Sequence, residues 1–179
     1  MVKKAEIIIL NGTSSSGKTS LAKALQNLLD PTYLYLALDT FGDMFPDHYL
    51  DVENEDLAAA RKNNVLSIML NYIKFFASSE NDLIIDHVLD ESSYLLTLVK
   101  ELSEFNLIFI GVHCPLHVLE KRENIRGDRK IGLARSQYEN VHKGINYNFE
   151  VDTSQSLPIE CALKIIEYLK NDSLFYNTQ

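Results

Sequence analysis

The stretch LNGTSSSGKTSLAKAL, residues 10–25, places two glycines and several hydroxyl side chains between an apolar run and an amphipathic segment. The spacing Gly12-x-x-x-x-Gly17-Lys18-Thr19 is the phosphate-binding P-loop pattern, in its required context of strand, loop and helix. A flexible linker of Gly and Ser would have neither flanking element. The sequence therefore predicts a nucleoside-triphosphate site.

Each part of this loop has a physical role in binding phosphate. Glycines at both ends let the backbone turn, so that consecutive N–H groups point inward as an anion site. The helix that begins near Lys18 adds its unpaired N–H groups and its positive dipole end. We expect Lys18 to reach the β- and γ-phosphates and the Thr19 hydroxyl to bind Mg²⁺. The nucleotide-binding residues predicted here are Gly12, Thr13, Ser14, Ser15, Ser16, Gly17, Lys18, Thr19 and Ser20.

Composition excludes several classes of protein. The chain has 179 residues, of which 46% are hydrophobic and 23% charged, as in an ordinary globular domain. The formal net charge of −8 argues against nucleic-acid binding, which usually needs a basic face. Two cysteines make no disulfide framework, and no stretch is apolar enough for a signal peptide or a membrane span. We expect one cytoplasmic domain over residues 1–179, without a nucleic-acid or membrane partner.

Short apolar runs alternate with helical patterns along the chain, which is typical of a parallel α/β sheet. The runs LIIDHV and LIFIGVHC are almost continuous, as expected for strands that are covered on both faces. Strands are predicted at residues 5–11, 33–38, 82–87, 107–113 and 148–152. Helices are predicted at residues 18–29, 56–78, 91–104, 115–124, 132–143 and 157–170.

The connection between the second and third predicted strands is too long for a simple crossover. It carries a predicted helix of about six turns and most of a cluster of seven acidic residues between Asp39 and Asp56. In a nucleotide-binding sheet such an insertion lies over the carboxyl ends of the strands, where ligands bind. We interpret residues 40–81, named here the cap segment, as a helical substrate cap.

P-loops serve switch GTPases, motor ATPases and small-molecule kinases. The chain has no Asn-Lys-x-Asp motif for guanine, and its Asp-x-x-Gly match at residues 39–42 comes before the LIID strand, where a GTPase would place it later. A motor ATPase would normally be larger and oligomeric. A small-molecule kinase needs three more parts: a magnesium carboxylate, a base for the acceptor hydroxyl, and mobile cations for the transferred phosphoryl group.

Two aspartates at predicted strand ends are candidates for the first two parts. Asp86, which ends LIID, is the candidate metal ligand together with Thr19; the alternative is an ordinary aspartate that caps a turn. Asp39, which ends YLYLALD, is expected to face the γ-phosphate and to act as general base. The alternative for Asp39 is an N-cap of the segment TFGDMF.

Four of the five arginines lie between residues 122 and 135. Arg122, Arg126 and Arg129 follow i, i+4, i+7 spacing, so in a helix they would share one face. Gly127 and Gly132 interrupt this segment and are expected to act as hinges. Arginines on a hinged element can close over phosphates and offset developing charge, whereas the alternative is a solvated charged helix. We name residues 120–135 the lid segment; Lys18, Arg126 and Arg129 join Asp39 as predicted catalytic residues.

One group of histidines has the spacing of a metal site. His113 and Cys114 are, however, consecutive on a predicted strand and face opposite ways, and His117 has no further ligands near it in sequence. Structural roles are therefore favoured for these residues. His87, directly after Asp86, is the stronger candidate for a functional role.

With these parts in place, the chain resembles the chloramphenicol phosphotransferases, ATP-dependent kinases that phosphorylate the primary hydroxyl of the antibiotic. The matching stretches are IILNGTSSSGK, LALDTF, LIIDHV, GVHCPLHVLEKRENIRGDRKIGLA and VHKGINYNFEVDTSQSLPIECA, which together span most of the chain. The resemblance implies a shikimate-kinase-like P-loop fold with a five-stranded parallel sheet. It also implies ATP with Mg²⁺, Asp39 as the base, the three arginines in the lid, and Thr153 and Ser154 beside the adenine, with Arg122 among the nucleotide-binding residues.

The cap segment departs from the pattern of the drug-phosphorylating members. It is shorter by about a loop's length and carries six acidic residues in its first part, namely Asp43, Asp47, Asp51, Glu53, Glu55 and Asp56. We therefore expect an ATP-dependent kinase for a small-molecule hydroxyl compound. The acceptor is chloramphenicol or a different compound such as an amino alcohol, nucleoside or sugar. A module that hydrolyses or senses ATP without an acceptor is the competing interpretation.

Overall fold

The computed structural model describes residues 4–127 and 130–176. Five parallel strands form one sheet in the order β2-β3-β1-β4-β5. The strands are β1 (Glu6–Asn11), β2 (Leu34–Ala37), β3 (Leu83–His87), β4 (Asn106–His113) and β5 (Phe149–Asp152). This is the α/β P-loop fold that the sequence predicts, with every predicted strand present in the sheet.

Helices cover both faces of the sheet. They are α1 (Lys18–Leu28), α2 (Leu38–Gly42), α3 (Glu55–Ser78), α4 (Ser92–Glu101), α5 (Leu116–Arg126), α6 (Leu133–Tyr138) and α7 (Pro158–Tyr176). None of the helices in residues 4–127 and 130–176 is both long and apolar enough to cross a membrane.

The central strands are buried on both faces because their side chains alternate between two cores. Ile7 and Ile9 of β1 and Ile85 of β3 pack with residues of α3 and α4. Ile8 of β1 and Ile84 of β3 pack with residues of α1 and α7 on the opposite face. Apolar residues on both faces explain why these strands are almost continuous hydrophobic runs in the sequence.

Strand register brings the carboxyl ends of the central strands to one edge of the sheet. Asn11, the last residue of β1, pairs with His87 of β3 and with Gly111 of β4. The P-loop follows β1 directly at this edge, and Asp86 is the penultimate residue of β3. In parallel α/β sheets ligands bind outside this edge.

The structure differs from the sequence prediction in two helices. Strand β2 ends at Ala37, and the next five residues form α2, so Asp39 lies in the first turn of a helix instead of ending a strand. Ala37 is the N-cap of α2 and makes no side-chain capping bond, so the interpretation of Asp39 as an N-cap is wrong. The helix predicted over residues 132–143 is also shorter, because α6 ends at Tyr138 and turns follow it.

Candidate active site

Backbone carbonyls of the P-loop bind the side chain of Lys18, which ends the loop. Gly17 has a φ of 93° and Ser15 a φ of 64°, so both adopt the left-handed conformation that turns successive N–H groups inward. The Lys18 ammonium donates hydrogen bonds to the carbonyls of Gly12 (2.9 Å) and Thr13 (2.8 Å) and is only 6% exposed. The loop therefore presents a cation from its interior at the start of α1.

The first glycine of the loop serves a different purpose from the second. A Cβ on Gly12 would lie 2.4 Å from the Val112 carbonyl oxygen of β4, a distance that side chains do not tolerate. Glycine at this position is thus required by close packing of the loop on β4. The P-loop pattern alone predicted a turn at both glycines.

Three hydroxyl and carboxyl groups meet beside Lys18. The Thr19 hydroxyl donates to Asp86 Oδ2 at 2.7 Å, and the Tyr35 hydroxyl donates to the same oxygen at 3.2 Å. Lys18 Nζ lies 3.8 Å from the other oxygen, Asp86 Oδ1. Burial and the Asp86 charge raise the pKa of Tyr35 to about 12, so its hydroxyl remains a proton donor. The structure therefore brings together Thr19 and Asp86, the two residues predicted to bind metal.

These two residues fit a magnesium site that also uses nucleotide oxygens. Mg²⁺ prefers oxygen ligands and is usually bound through one or two carboxylates together with substrate phosphates. Thr19 and Asp86 supply a hydroxyl and a carboxylate next to the P-loop. Among the described residues no group of three His, Cys, Asp or Glu could hold a metal ion by itself.

A cavity of about 390 Å³ opens over the P-loop. We name it the phosphate cavity. It brings together residues from the P-loop, α2, β3, the cap segment and the lid segment, which include Ser14, Ser15, Gly17, Lys18, Thr19, Ser20, Asp39, Asp86 and Arg126. Gly12, Thr13 and Ser16 lie behind this surface, where they are buried.

A second cavity, of about 440 Å³, lies under the cap segment, and we name it the cap cavity. Its charged wall carries Asp39, Asp43 and Asp47, and apolar side chains of α3 line another part. The rings of Phe45 and Tyr49, which also line it, stack with centroids 4.2 Å apart. Asp39 lines both cavities, so it stands where a phosphate and an acceptor could meet.

Arg122 is fixed against the back of the P-loop. Its guanidinium donates to the Thr153 carbonyl (2.6 Å) and hydroxyl (3.2 Å), and to the Ser16 carbonyl (3.4 Å). The Thr153 hydroxyl in turn donates to the Ser16 carbonyl at 2.5 Å. Arg122, Thr153 and Ser154 also line one surface pocket with Gly17, so the structure groups the residues predicted beside the adenine.

The two lid arginines Arg122 and Arg126 line different pockets. Helix α5 ends at Arg126, which lines the phosphate cavity, whereas Arg122 faces a different pocket. The third predicted lid residue, Arg129, lies outside the described residues. Arg122 and Arg126 both lie on α5 with the predicted i, i+4 spacing, but their side chains line different pockets, because the Arg122 guanidinium is held by Thr153.

The two histidines His87 and His113 have different surroundings. His87 is 1% exposed, its ring stacks on Tyr94, and burial lowers its pKa to about 4, with further lowering by the Lys18 and Lys62 charges. His113 Nε2 lies 2.6 Å from a Glu150 carboxylate oxygen. The structural interpretation of His113 agrees with this contact.

Residues 5–170 match the family described as chloramphenicol phosphotransferase-like protein. The chain belongs to the chloramphenicol phosphotransferase-like family. A relative from Mycobacterium tuberculosis strain H37Rv, named "Putative O-phosphotransferase Rv2636", is 27% identical over 184 residues, covering 92% of this chain and 82% of the relative.

Solved structures show the same fold at low identity. The APS kinase CysC of Mycobacterium tuberculosis, solved with AMPPNP and APS, superposes with a TM-score of 0.70 at 15% identity, covering 94% of this chain and 99% of that chain. Shikimate kinase from Acinetobacter baumannii gives 0.70 at 14% identity, with 96% and 97% covered. Family and fold together make this chloramphenicol phosphotransferase-like chain a phosphotransferase of the P-loop class.

Sequence reasoning missed Asn11, a buried residue that joins three segments of this family member. Its side-chain oxygen accepts from the Leu89 amide at 2.7 Å, and its amide nitrogen donates to the Val141 carbonyl and the Tyr147 hydroxyl, each at 2.6 Å. The Tyr147 hydroxyl lies 2.6 Å from His142 Nδ1, to which it can donate its proton. Only the position of Asn11 immediately before the P-loop could have indicated this role.

Glu123 is the second missed residue. It is 2% exposed, and its carboxylate accepts from the amides of Gly132 (2.7 Å) and Ala134 (2.9 Å). It therefore ties the start of α6 to α5 at the base of the lid segment. From α6, Gln137 then accepts a 2.8 Å hydrogen bond from the Ser14 amide of the P-loop.

Proposed function

We propose that this chain transfers the γ-phosphoryl group of ATP to a hydroxyl group of a small molecule. The observation that carries the proposal is that Asp39 lines both the phosphate cavity and the cap cavity. A carboxylate at this junction can accept the proton of a hydroxyl that enters from the cap side. A protein that only hydrolyses ATP has no need of a second cavity beside the first.

Each residue has a role in this reaction. The acceptor oxygen forms a bond to the γ-phosphorus while the bond to the β–γ bridging oxygen breaks, and its electron pair leaves with ADP. Asp39 takes the hydroxyl proton, and the P-loop amides and Lys18 hold the phosphates. Arg126 offsets charge on the transferred group, with Arg129 proposed as its partner. Arg122 fixes the loop through Thr153, and Ser154 contributes to the base side of the nucleotide pocket.

Thr19 and Asp86 would hold Mg²⁺. When bound, the ion neutralises phosphate charge and orients the β- and γ-phosphates. The protein contributes the placement of both ligands, because Lys18 and Tyr35 hold the Asp86 carboxylate in one orientation.

The acceptor is proposed at the level of a small hydroxyl compound. Family membership favours chloramphenicol, since the family is described by that phosphotransferase activity. The three aspartates on the cap cavity favour an acceptor that carries an amine, because three carboxylates beside a triphosphate site create a negative potential. Chloramphenicol is neutral, so the two acceptor classes can be separated by experiment.

A ligand screen tests the proposal. Small hydroxyl compounds would be screened by thermal shift with AMPPNP and Mg²⁺, since a ternary ligand stabilises the protein by mass action. Each hit would then be assayed for ADP formation and for the phosphorylated product. We expect ADP formation to depend on the acceptor. If the rate of ADP formation is the same without an acceptor as with each of the compounds tested, the protein is instead an ATP-hydrolysing module.

A further inference from the structure

Lys62 lies on the wall between the two cavities. It lines the phosphate cavity together with Lys18 and Arg126, and it lines the cap cavity together with Asp39. A lysine on a long cap helix has the sequence pattern of a solvated surface residue. Its position at the junction is a property of the fold.

The backbone that carries Lys62 is fixed by its neighbours in α3. Val65 and Leu66, which lie in the following turn, are each 3% exposed in the core against the sheet. The Leu66 carbonyl accepts a 3.4 Å hydrogen bond from the Tyr94 hydroxyl of α4. The Cα of Lys62 is therefore fixed in position, and only its flexible side chain can move between the two cavities.

The Lys62 ammonium group is charged and forms ion pairs with two carboxylates, from which it can exchange. It lies 2.6 Å from Glu91 Oε1 and 3.3 Å from Asp90 Oδ1, and the three side chains are 40%, 43% and 29% exposed respectively. Burial lowers the pKa of Lys62, but the hydrogen bond and charge of Glu91 and the charge of Asp90 outweigh it, so the pKa is raised above 10.5. Half-exposed ion pairs of this kind are weak and can exchange partners.

A second observation puts the Lys62 charge close to the reacting end of the P-loop. Lys18 and Lys62 both line the phosphate cavity, which is also lined by His87, the buried residue that follows Asp86 in β3. Two cations from separate elements, the P-loop and α3, therefore reach the same small region. Only one of them, Lys18, is explained by the P-loop pattern.

We propose that Lys62 binds the phosphoryl group while it passes from the phosphate cavity to the cap cavity; this inference rests on the proposed function. In that step negative charge is spread over the three equatorial oxygens, between the acceptor oxygen that is forming a bond and the ADP oxygen that is leaving. Lys62 donates hydrogen bonds to these oxygens, and the hydroxyl proton goes to Asp39. Lys62 would then be a catalytic residue supplied by the cap.

The competing role for Lys62 is a purely structural latch between α3 and the loop after β3. The chain offers controls that separate the two roles. Lys74 lies on the same helix and pairs with Glu101 at 2.7 Å, but it lines neither cavity. Glu91→Gln weakens the latch while it leaves the Lys62 ammonium in place.

The experiment uses binding, so that it does not depend on knowing the acceptor. The wild-type protein and the Lys62→Met, Lys62→Arg, Lys74→Met and Glu91→Gln variants would be titrated with ADP and Mg²⁺, and then with aluminium fluoride, which mimics the transferring phosphoryl group. Calorimetry gives the affinity for each, and thermal unfolding verifies that each variant is folded. Single-turnover rates would be added once an acceptor is known.

We expect Lys62→Met to bind MgADP within about threefold of wild type but to lose about 10² in affinity for the fluoride complex, the usual scale for one transition-state donor. Lys62→Arg should retain part of that affinity, and Lys74→Met and Glu91→Gln should retain all of it. Unchanged fluoride binding in Lys62→Met, equal losses for MgADP and fluoride, or the same defect in Glu91→Gln would each overturn the inference. Failure of the wild type to bind MgADP would instead refute the proposed function.

Discussion

The Thr19 hydroxyl donates a 2.7 Å hydrogen bond to the Asp86 carboxylate, which is 67 residues further along the chain. This contact joins the first turn of α1 to the end of β3 across the mouth of the P-loop. It places one hydroxyl and one carboxylate side by side, and both are ligands that Mg²⁺ accepts.

Asp86→Asn should raise the Mg²⁺ concentration needed for half-maximal ADP formation by about tenfold or more, as expected when a ligand or its close support is lost. The amide keeps the size of the side chain but removes its charge. A magnesium titration of initial rates measures the shift, with Glu101→Gln, at the distant Lys74 pair, as control. An unchanged magnesium midpoint would return Asp86 to the role of a turn-capping residue.

Asp39→Asn should leave ATP binding intact and lower acceptor phosphorylation by about 10²–10⁴-fold, the usual contribution of a general base. The reason is that an amide cannot take the hydroxyl proton. Asp43→Asn is the matched control, because Asp43 lines the cap cavity but not the phosphate cavity. A loss of less than about threefold in Asp39→Asn would exclude the base role.

Arg122→Ala and Arg126→Ala should have different effects. Arg126→Ala is expected to lower turnover more than nucleotide affinity, because a cation near the transferred group matters most when charge redistributes. Arg122→Ala should weaken nucleotide binding and lower the melting temperature, because it removes the bonds to Thr153 and Ser16. Steady-state kinetics with thermal unfolding distinguishes them, and identical profiles would contradict this division.

Cationic acceptors should outcompete neutral ones, since Asp39, Asp43 and Asp47 face the cap cavity. We expect kcat/KM for amino alcohols or aminoglycoside-like compounds to exceed that for chloramphenicol. The advantage should shrink as salt rises, because exposed charges are screened within about 10 Å at 0.1 M ionic strength. Matched charged and neutral acceptors would be compared at two salt concentrations. A better rate with chloramphenicol, insensitive to salt, would leave the aspartates as surface groups.

The free energy of unfolding should fall as the pH is lowered through the range in which His87, which is buried, and His142, which is half-buried, resist protonation. Burial is the main cause that lowers the pKa of both His87 and His142 from 6.5 to about 4, with His113 adding to the effect on His142. Between these values the unfolded chain binds protons that the folded chain does not. The stabilisation is therefore complete above pH 6.5 and is lost progressively as the pH falls toward 4.

Urea unfolding at several pH values measures this dependence. His142→Gln provides the comparison, because its amide oxygen can still accept the Tyr147 hydroxyl proton but does not titrate. The variant should show a shallower loss of unfolding free energy between pH 6.5 and 4 than wild type. Parallel curves for the two proteins would show that His142 is not held neutral by the fold.

Local patterns predicted the sheet and the phosphate loop. The P-loop spacing and the continuous apolar runs depend on residues that are near one another in sequence, so they could be read directly. Helix α2 was not predicted, because five residues are too few to show a helical period. Its presence moves Asp39 from a strand end into a helix turn while keeping it on the phosphate cavity.

Roles that depend on distant partners could not be predicted. Asn11 bonds to Val141, which is 130 residues away, and neither residue carries a motif for that contact. The spacing of Arg122 and Arg126 correctly indicated a helix, but a guanidinium group lies far from its Cα. Thr153, 31 residues beyond Arg122, decides where that group binds.

The tight approach of Gly12 to the Val112 carbonyl has a consequence for motion during turnover. With no room for even a methyl group, the first part of the P-loop and β4 must move as one body with the central sheet. We therefore expect opening and closing to occur on the other side of the nucleotide, in residues 43–54 of the cap segment, between α2 and α3. Hydrogen exchange should then be slow at the Ser14 and Ser16 amides, which donate to Gln137 and to the Thr13 carbonyl, and fast in residues 43–54.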